Sequence, residues 1–98
     1  MKIESEALGA ICGKLGLWHF YQARHNQAEP LMRRALSIAE KSYGPEHPSV
    51  AIRLNNLAAL LQDTNRLEEA EPLMQRALII LLRFTRTIAR RVQAIRNN

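Results

Sequence analysis

The sequence has little of what disulfide bonds, membrane insertion or secretion require. Its only cysteine is Cys12, so an internal disulfide is excluded and packing must hold the fold together. No apolar run approaches the roughly 20 residues that cross a bilayer. The N-terminal stretch MKIESEALGA carries two glutamates and lacks the regions typical of a secretory signal. These absences predict a cytoplasmic protein without a membrane partner.

Aromatic residues are scarce throughout, and acidic residues are missing from the C-terminal segment. Aromatic residues make up 5% of the chain against 47% hydrophobic residues, as in soluble helical proteins packed from leucine, isoleucine and alanine. Residues 1–82 hold nine basic and nine acidic residues, so the net charge of +5 comes from the five arginines that follow. With only Phe84 interleaved among them, these arginines do not predict a nucleic-acid partner.

One stretch of the chain occurs twice. Residues 28–38 read AEPLMRRALSI and residues 70–80 read AEPLMQRALII, with nine of eleven positions identical at an offset of 42 residues. Self-similarity at such a period is typical of helical repeat arrays. In each copy the apolar residues recur at helical spacing, and the alanines keep fixed offsets where another helix could approach closely. The stretch therefore predicts the framework helix of each repeat rather than a functional motif.

Apolar periodicity predicts four helices, over residues 5–24, 26–42, 48–63 and from 67 onward. Gly44-Pro45 is expected to end the second helix, because glycine suits the left-handed position after a helix and proline cannot continue it. Pro48 is expected at the first position of the third helix, directly after His47.

Three further residues are expected to mark helix starts. Ser5 is a candidate N-cap of the first helix. Pro30 and Pro72 are expected in the first turns of the second and fourth helices, where a missing N–H costs little.

The first helix is rich in glycine. Gly9, Gly13 and Gly16 each cost up to about 1 kcal/mol of helix propensity relative to alanine, so at least one is expected to serve close packing. The register indicates Gly16, because its repeat equivalent is Ala58 and both are small. The apolar face of this helix is predicted from Leu8, Ile11, Cys12, Leu15, Trp18 and His19.

The C-terminal segment departs from the repeat. No glycine and no proline follow Pro72, and the equivalent of the loop GPEHPSV (44–50) is RTIARRV (86–92), which has a helical pattern. We expect either one long helix to about residue 96 or a kink near 84–87. The register continues to the end of the chain, where Asn97-Asn98 correspond to Asn55-Asn56.

The pieces GPEHPSVA, LNNLAALL and NRLEEAEPLMQRAL within residues 44–80 resemble tetratricopeptide repeats. LGLWHFYQAR and AEPLMRRALSIAEKSYG extend the resemblance over residues 15–43, although His25 stands where the second copy has Leu67. The similarity is to the 42-residue type found in kinesin light chains and their bacterial relatives, so a bacterial source is expected.

The resemblance implies an all-α fold, a right-handed α-α superhelix of stacked helix-turn-helix hairpins with about two and a half repeats. It implies a single domain with unit 1 over 5–43 and unit 2 over 48–85. Residues 86–98 form a partial third unit or a C-terminal capping helix. The helices at 5–24 and 48–63 would line the inner side of a curved stack, and those at 26–42 and 67–83 the outer side.

The resemblance also implies a non-catalytic scaffold that binds a peptide or partner protein on its concave face. In similar proteins, inner-face asparagines hold the main chain or C-terminal carboxylate of a peptide, since an amide both donates and accepts hydrogen bonds. That role maps onto Asn56, with Asn55 and Asn97-Asn98 as further positions. The same surface is predicted to include Lys14, Leu17, Tyr21, Arg53, Gln62 and Asp63. Alternatively, these are solvated surface residues.

Catalysis, metals and cofactors have no support in the sequence. His19, His25 and His47 lie in different segments, and Cys12 has no histidine three or four residues away. The acids Glu68, Glu69 and Glu71 suit the N-terminus of a helix dipole. No metal-ligand spacing, phosphate loop or nucleophile motif is present.

A rival function is structural self-assembly. An apolar stripe in the C-terminal segment would need a cover, which a two-fold dimer exchanging these helices would supply. The residues of this predicted contact are Phe84, Ile88, Val92 and Ile95.

Overall fold

A computed structural model describes the backbone of residues 2–97 and the side chains of residues 6–97. It contains four α-helices: α1 (Lys2–Tyr21), α2 (His25–Tyr43), α3 (Pro48–Asp63) and α4 (Leu67–Arg96). α1 packs against α2 and α3 against α4, so the chain forms two helical hairpins. The hairpins meet mainly through α2 and α3, while α1 touches α3 at few positions. The predicted all-α fold of repeated hairpins is confirmed.

The loop between the hairpins has the predicted helix signals. Gly44 ends α2 with φ of 89° and donates its N–H to the Glu40 carbonyl, although its ψ of 158° lies outside the left-handed helical region. Pro48 is the first residue of α3. The side chain of His47 caps this helix, because its Nδ1 accepts the Ser49 N–H at 3.0 Å.

The predicted positions of three residues at helix starts were wrong. Ser5 lies inside α1, which begins at Lys2, and so does not cap it. Pro30 and Pro72 are each the sixth residue of their helix, not part of the first turn. The starts themselves agree with the prediction, since α2 begins at His25, one residue before the predicted position, and α4 begins at Leu67. Ala23 and Asn65, in the turns before these helices, have positive φ values of 59° and 62°.

The core lies where α2, α3 and α4 meet. The alanines that recur in the repeated stretch, at positions 28, 35, 70 and 77, are all buried. They allow the helices to approach closely, so leucines of α3 fill the space between α2 and α4. Full burial of one such leucine stabilises the fold by about 1.5–3 kcal/mol. The largest fully buried side chains are Val50, Leu54, Leu57, Leu60 and Leu61.

The predicted apolar face of α1 was mostly wrong. Of its six residues, only Cys12 is buried, while His19 is half-buried and the other four are exposed. α1 instead packs through its glycines: a Cβ at Gly9 would lie 2.8 Å from Cγ2 of Ile38, and one at Gly16 would lie 3.0 Å from Cγ of Met32. The exposed apolar side faces away from α2, and no described helix covers it.

The C-terminal segment forms one continuous helix. α4 runs through 30 residues without a kink near 84–87, because no glycine or proline interrupts the helix there. Residues 86–96 therefore extend α4 beyond the hairpin, and every residue from Leu81 to Asn97 is exposed. The predicted role of Asn98 lies outside the described residues. The predicted unit boundaries stay a prediction.

Candidate interaction surface between the first helices

The guanidinium group of Arg53, on α3, lies against α1. It lies directly against Gly13 of α1, in the space that a side chain at that position would occupy. Arg53 itself is half-buried. The glycine that weakens the helix in the sequence therefore makes room for a cation from the second hairpin.

A small cavity adjoins this contact. It has a volume of about 60 Å³ and is lined by residues of α1, α2 and the start of α3. α1 contributes the carboxylate of Glu6, whereas α3 contributes the hydroxyl of Ser49 and the guanidinium of Arg53. Since one water takes about 30 Å³ in the liquid, the cavity accommodates a few small polar atoms rather than a large side chain.

Of the predicted partner-binding residues of α1, Lys14 lies beside this contact. Lys14 follows Gly13 directly and is exposed, as is Tyr21. Leu17 is half-buried and packs against the core cluster of the two hairpins. On α3, Asn56 lies one helical turn after Arg53 and is half-buried. Lys14, Arg53 and Asn56 therefore place two cations and one amide along neighbouring helices.

Asn55 and Gln62 lie on another side of α3. At the 42-residue offset they correspond to Gly13 and Phe20, which face the following hairpin: Gly13 contacts Arg53, and Phe20 packs on the shared core. Asn55 and Gln62 are both exposed. The structure does not group them with Arg53 and Asn56, so their predicted role as peptide contacts stays a prediction.

A series of ion pairs between the hairpins was missed at the level of sequence. Three of the pairs join a basic residue of the second hairpin to an acid of α2 or of the loop after it, at an offset of 36 or 37 residues and not at the repeat offset of 42. In the reverse direction, Arg33 of α2 lies 3.7 Å from Glu69 of α4. The only signal in the sequence was that three acidic residues are followed, at similar spacing, by three arginines in the next repeat. The three pairs are Arg66–Glu29 at 2.6 Å, Arg76–Glu40 at 2.7 Å and Arg83–Glu46 at 2.7 Å.

The first pair belongs to a larger charge network. Arg66 also binds Glu69 at 2.7 Å, and Arg33 binds Glu29 at 2.9 Å. The hydrogen bond from Arg66 lowers the pKa of Glu29 despite partial burial, and Arg33 lowers it further. Arg66 likewise lowers the pKa of Glu69, and the two carboxylates raise the pKa of Arg66. The network keeps both acids ionised where the hairpins meet.

The histidines do not assemble into a site. His25 Nε2 lies 3.6 Å from Asp63 Oδ2, beyond hydrogen-bond distance, and His25 packs edge-on against Phe20. His47 is the helix cap already described. Among residues 2–97, no group of three or more His, Cys, Asp or Glu side chains is arranged to hold a metal ion.

The predicted self-association residues form an exposed stripe on α4. Phe84, Ile88, Val92 and Ile95 are all exposed and recur every three or four residues, which places them on one face of the helix. This face continues the side on which Ile80 and Ala77 are buried. Arginines 83, 86 and 90 lie on the opposite side, so the extension is amphipathic.

Comparison with known proteins agrees with the paired hairpins. Residues 6–82 match the model of the tetratricopeptide repeat family, whose description is "Tetratricopeptide repeat". The chain belongs to the tetratricopeptide repeat family. It is 29% identical over 82 residues to human "Tetratricopeptide repeat protein 19, mitochondrial", covering 79% of this chain. The chain spans 22% of the length of that relative.

The family is associated with one general class of activity. Tetratricopeptide repeats generally mediate protein–protein interaction and are typically non-catalytic scaffolds. In the part of the chain that the structure describes, no helix is long and apolar enough to cross a membrane.

Proposed function

We propose that this repeat protein binds an extended segment of a partner protein along the surface between α1 and α3. The observation that carries the proposal is the position of Arg53, whose guanidinium lies against Gly13 next to Lys14 and one turn before Asn56. An amide with two cations suits a peptide main chain that ends in a carboxylate or carries acidic side chains. No catalytic group or cofactor enters this mechanism.

A peptide-binding experiment tests the proposal with a matched pair of asparagines. A library of C-terminal peptides is screened for a binder, whose affinity is then measured by fluorescence anisotropy for the wild type and two variants. We expect Asn56→Ala to weaken binding about ten-fold, which corresponds to about 1.4 kcal/mol, because one amide contact is lost. Asn55→Ala should change little, because Asn55 lies on another side of α3. Equal affinities of both variants would contradict the proposal.

A second candidate function is a homodimer through α4. It is supported by the exposed stripe of Phe84, Ile88, Val92 and Ile95, on a helix that extends beyond its own hairpin. Two such helices packed face to face would bury these residues in a two-fold contact.

Analytical ultracentrifugation at tens of micromolar (roughly) tests the dimer. We expect a dimer for the wild type and a monomer for Val92→Asp, because a carboxylate in the apolar contact would lose its hydration. Arg90→Asp is the matched control, because Arg90 lies on the opposite face. A wild-type chain that sediments as a helical monomer would contradict this function.

Subclass, source and location are also proposals. We infer that the chain belongs to the 42-residue, kinesin-light-chain-like subclass of bacterial relatives, supported by the repeat offset of 42 residues. We propose a cytoplasmic location. Imaging of the full-length protein with a fluorescent tag tests it, and accumulation in another compartment would contradict it.

A further inference from the structure

The first hairpin exposes a face that the second hairpin buries. Leu57 and Leu60 of α3 are 1% and 0% exposed, because they pack with α2 in the core. Their equivalents in α1 are Leu15 and Trp18, which are 46% and 50% exposed. Leu8 is exposed in the same way, although its equivalent Val50 is fully buried. In the second repeat, α2 therefore covers this side of α3. In the first repeat, the equivalent side of α1 is exposed.

Basic residues occupy equivalent positions in the two hairpins. Arg66 and Arg76 of the second hairpin bind acids of α2, and Arg83 binds Glu46 of the loop that follows α2. At the offset of 42 residues, their equivalents in the first hairpin are Arg24, Arg34 and Lys41. All three are exposed, and the guanidinium of Arg24 lies 5.3 Å from the centre of the Trp18 ring. The first hairpin thus has an exposed apolar surface and basic residues at the positions equivalent to those with which the second hairpin binds α2 and the loop after it.

We propose that this end of the molecule binds an acidic amphipathic helix of a partner protein. The helix would lie across Leu15 and Trp18 of α1 as α2 lies across α3. In α2 the acids that meet arginines are Glu29 and Glu40, which are eleven residues apart and so share one side of the helix after three turns. The partner is therefore a helix with two carboxylates at this spacing beside a row of small and apolar residues.

A second copy of this chain fits the face less well. Its free second helix is α4, where the equivalents of the three acids are Glu71, Leu82 and Ile88. Only Glu71 is an acid, so a copy stacked end to end would leave two of the three cations opposite apolar side chains. Desolvating a cation without a partner is unfavourable, which favours a more acidic helix as the occupant.

A peptide with the sequence of residues 25–43 serves as the probe, because α2 is the helix that binds the equivalent face. A hydrocarbon staple on its solvent-exposed side holds it helical. It lacks tryptophan, whereas Trp18 is the only tryptophan of the protein and lies on the proposed contact. Titrating the peptide into the full chain should shift Trp18 emission saturably to shorter wavelength as the ring leaves water.

Charge variants decide the outcome. The stapled peptide with Glu29→Gln and Glu40→Gln should bind the wild-type protein at least ten-fold more weakly than the unchanged peptide. Arg34→Glu protein should lose affinity for the unchanged peptide, and a peptide with Glu40→Arg should recover it. The Asn56→Ala protein should bind the stapled peptide with wild-type affinity. A failure of the function proposed for the surface between α1 and α3 is therefore distinguishable from a failure of the present inference. Equal binding of neutral and acidic peptides would overturn the proposal. So would a Trp18 shift that follows protein concentration without peptide, which would identify a second copy as the occupant.

Discussion

At the scale of the residue, small side chains decide how closely helices pack. The recurring alanines of α2 and α4 are buried, and glycines take the equivalent role in α1. Gly16 lies against Met32 of α2, and its equivalent Ala58 is buried in the core cluster that includes Met32. The prediction that Gly16 serves close packing is therefore confirmed, and Gly9 and Gly13 serve it as well.

Gly16→Ala should stabilise the protein by up to about 1 kcal/mol, because alanine is the better helix former and the second repeat already accommodates it. The new Cβ would lie 3.0 Å from Cγ and 3.4 Å from the backbone N of the buried Met32, so a small displacement of Met32 offsets part of this gain. Urea unfolding followed by circular dichroism measures the change. Gly9→Ala is the matched control and should show no gain, because the new Cβ would lie 2.8 Å from Cγ2 and 3.3 Å from Cβ of Ile38, a stiff β-branched side chain of α2.

Glu29→Gln should destabilise the protein by about 1 kcal/mol at pH 7, because a partly buried hydrogen bond to the charged Arg66 is weakened. The pKa of Glu29 is lowered in the folded state. Its contribution to stability is therefore fully present above the unfolded pKa, near 4.5, and is lost as the pH falls through the lower folded pKa.

Urea midpoints of wild type and Glu29→Gln should therefore converge as the pH is lowered from 7 to below 4 (roughly). Glu71→Gln is the matched control, because Glu71 is the repeat equivalent of Glu29 and is exposed on α4. A stability difference for Glu29→Gln that stays constant with pH would show that ionisation of this carboxyl does not contribute.

At the scale of the element, α4 combines two different halves. Up to Ile80 it buries residues against α3, whereas its C-terminal part is exposed on all sides. Helix propensity and periodicity predict both halves as helix, because neither contains a breaker after Pro72. What they could not predict is which half has tertiary contacts.

Amide hydrogen exchange separates the two halves of α4. In a monomer, amides of residues 88–96 should exchange much faster than those of residues 74–80, because a helical turn without tertiary packing is only marginally stable. In a dimer formed through the exposed stripe, protection of residues 88–96 should rise with protein concentration. Strong protection at concentrations where the chain is monomeric would contradict the exposed state of this segment.

At the scale of the whole molecule, ion pairs across the hairpins supplement the apolar contact of α2 with α3. The Glu40–Arg76 pair connects the second helices of the two repeats, and both side chains are roughly one-third exposed. A double-mutant cycle with Glu40→Gln and Arg76→Gln should give a coupling energy of about 0.5 kcal/mol at low salt, and less at high salt. A coupling of zero at low salt would show that the pair does not hold the hairpins together.

The sequence by itself determined the repeat, the helical class and the loop between the hairpins. A period of 42 residues, helical apolar spacing and the Gly44 and Pro48 signals depend on local geometry, which a chain carries in its own order of residues. The family follows from the same pattern. The position of Cys12 inside the core was predictable for the same reason.

Only the tertiary structure decided which apolar faces are covered. Leu15 and Leu57 occupy the same position in their repeats, yet one is exposed and the other buried, because α3 packs against the second helix of the preceding hairpin and no helix among residues 2–97 lies on the equivalent side of α1. The contact of Arg53 with Gly13 and the ion pairs at offsets of 36 and 37 residues also depend on how the hairpins stack. Stacking brings together residues far apart in the chain, and no local pattern records which neighbour a face will meet.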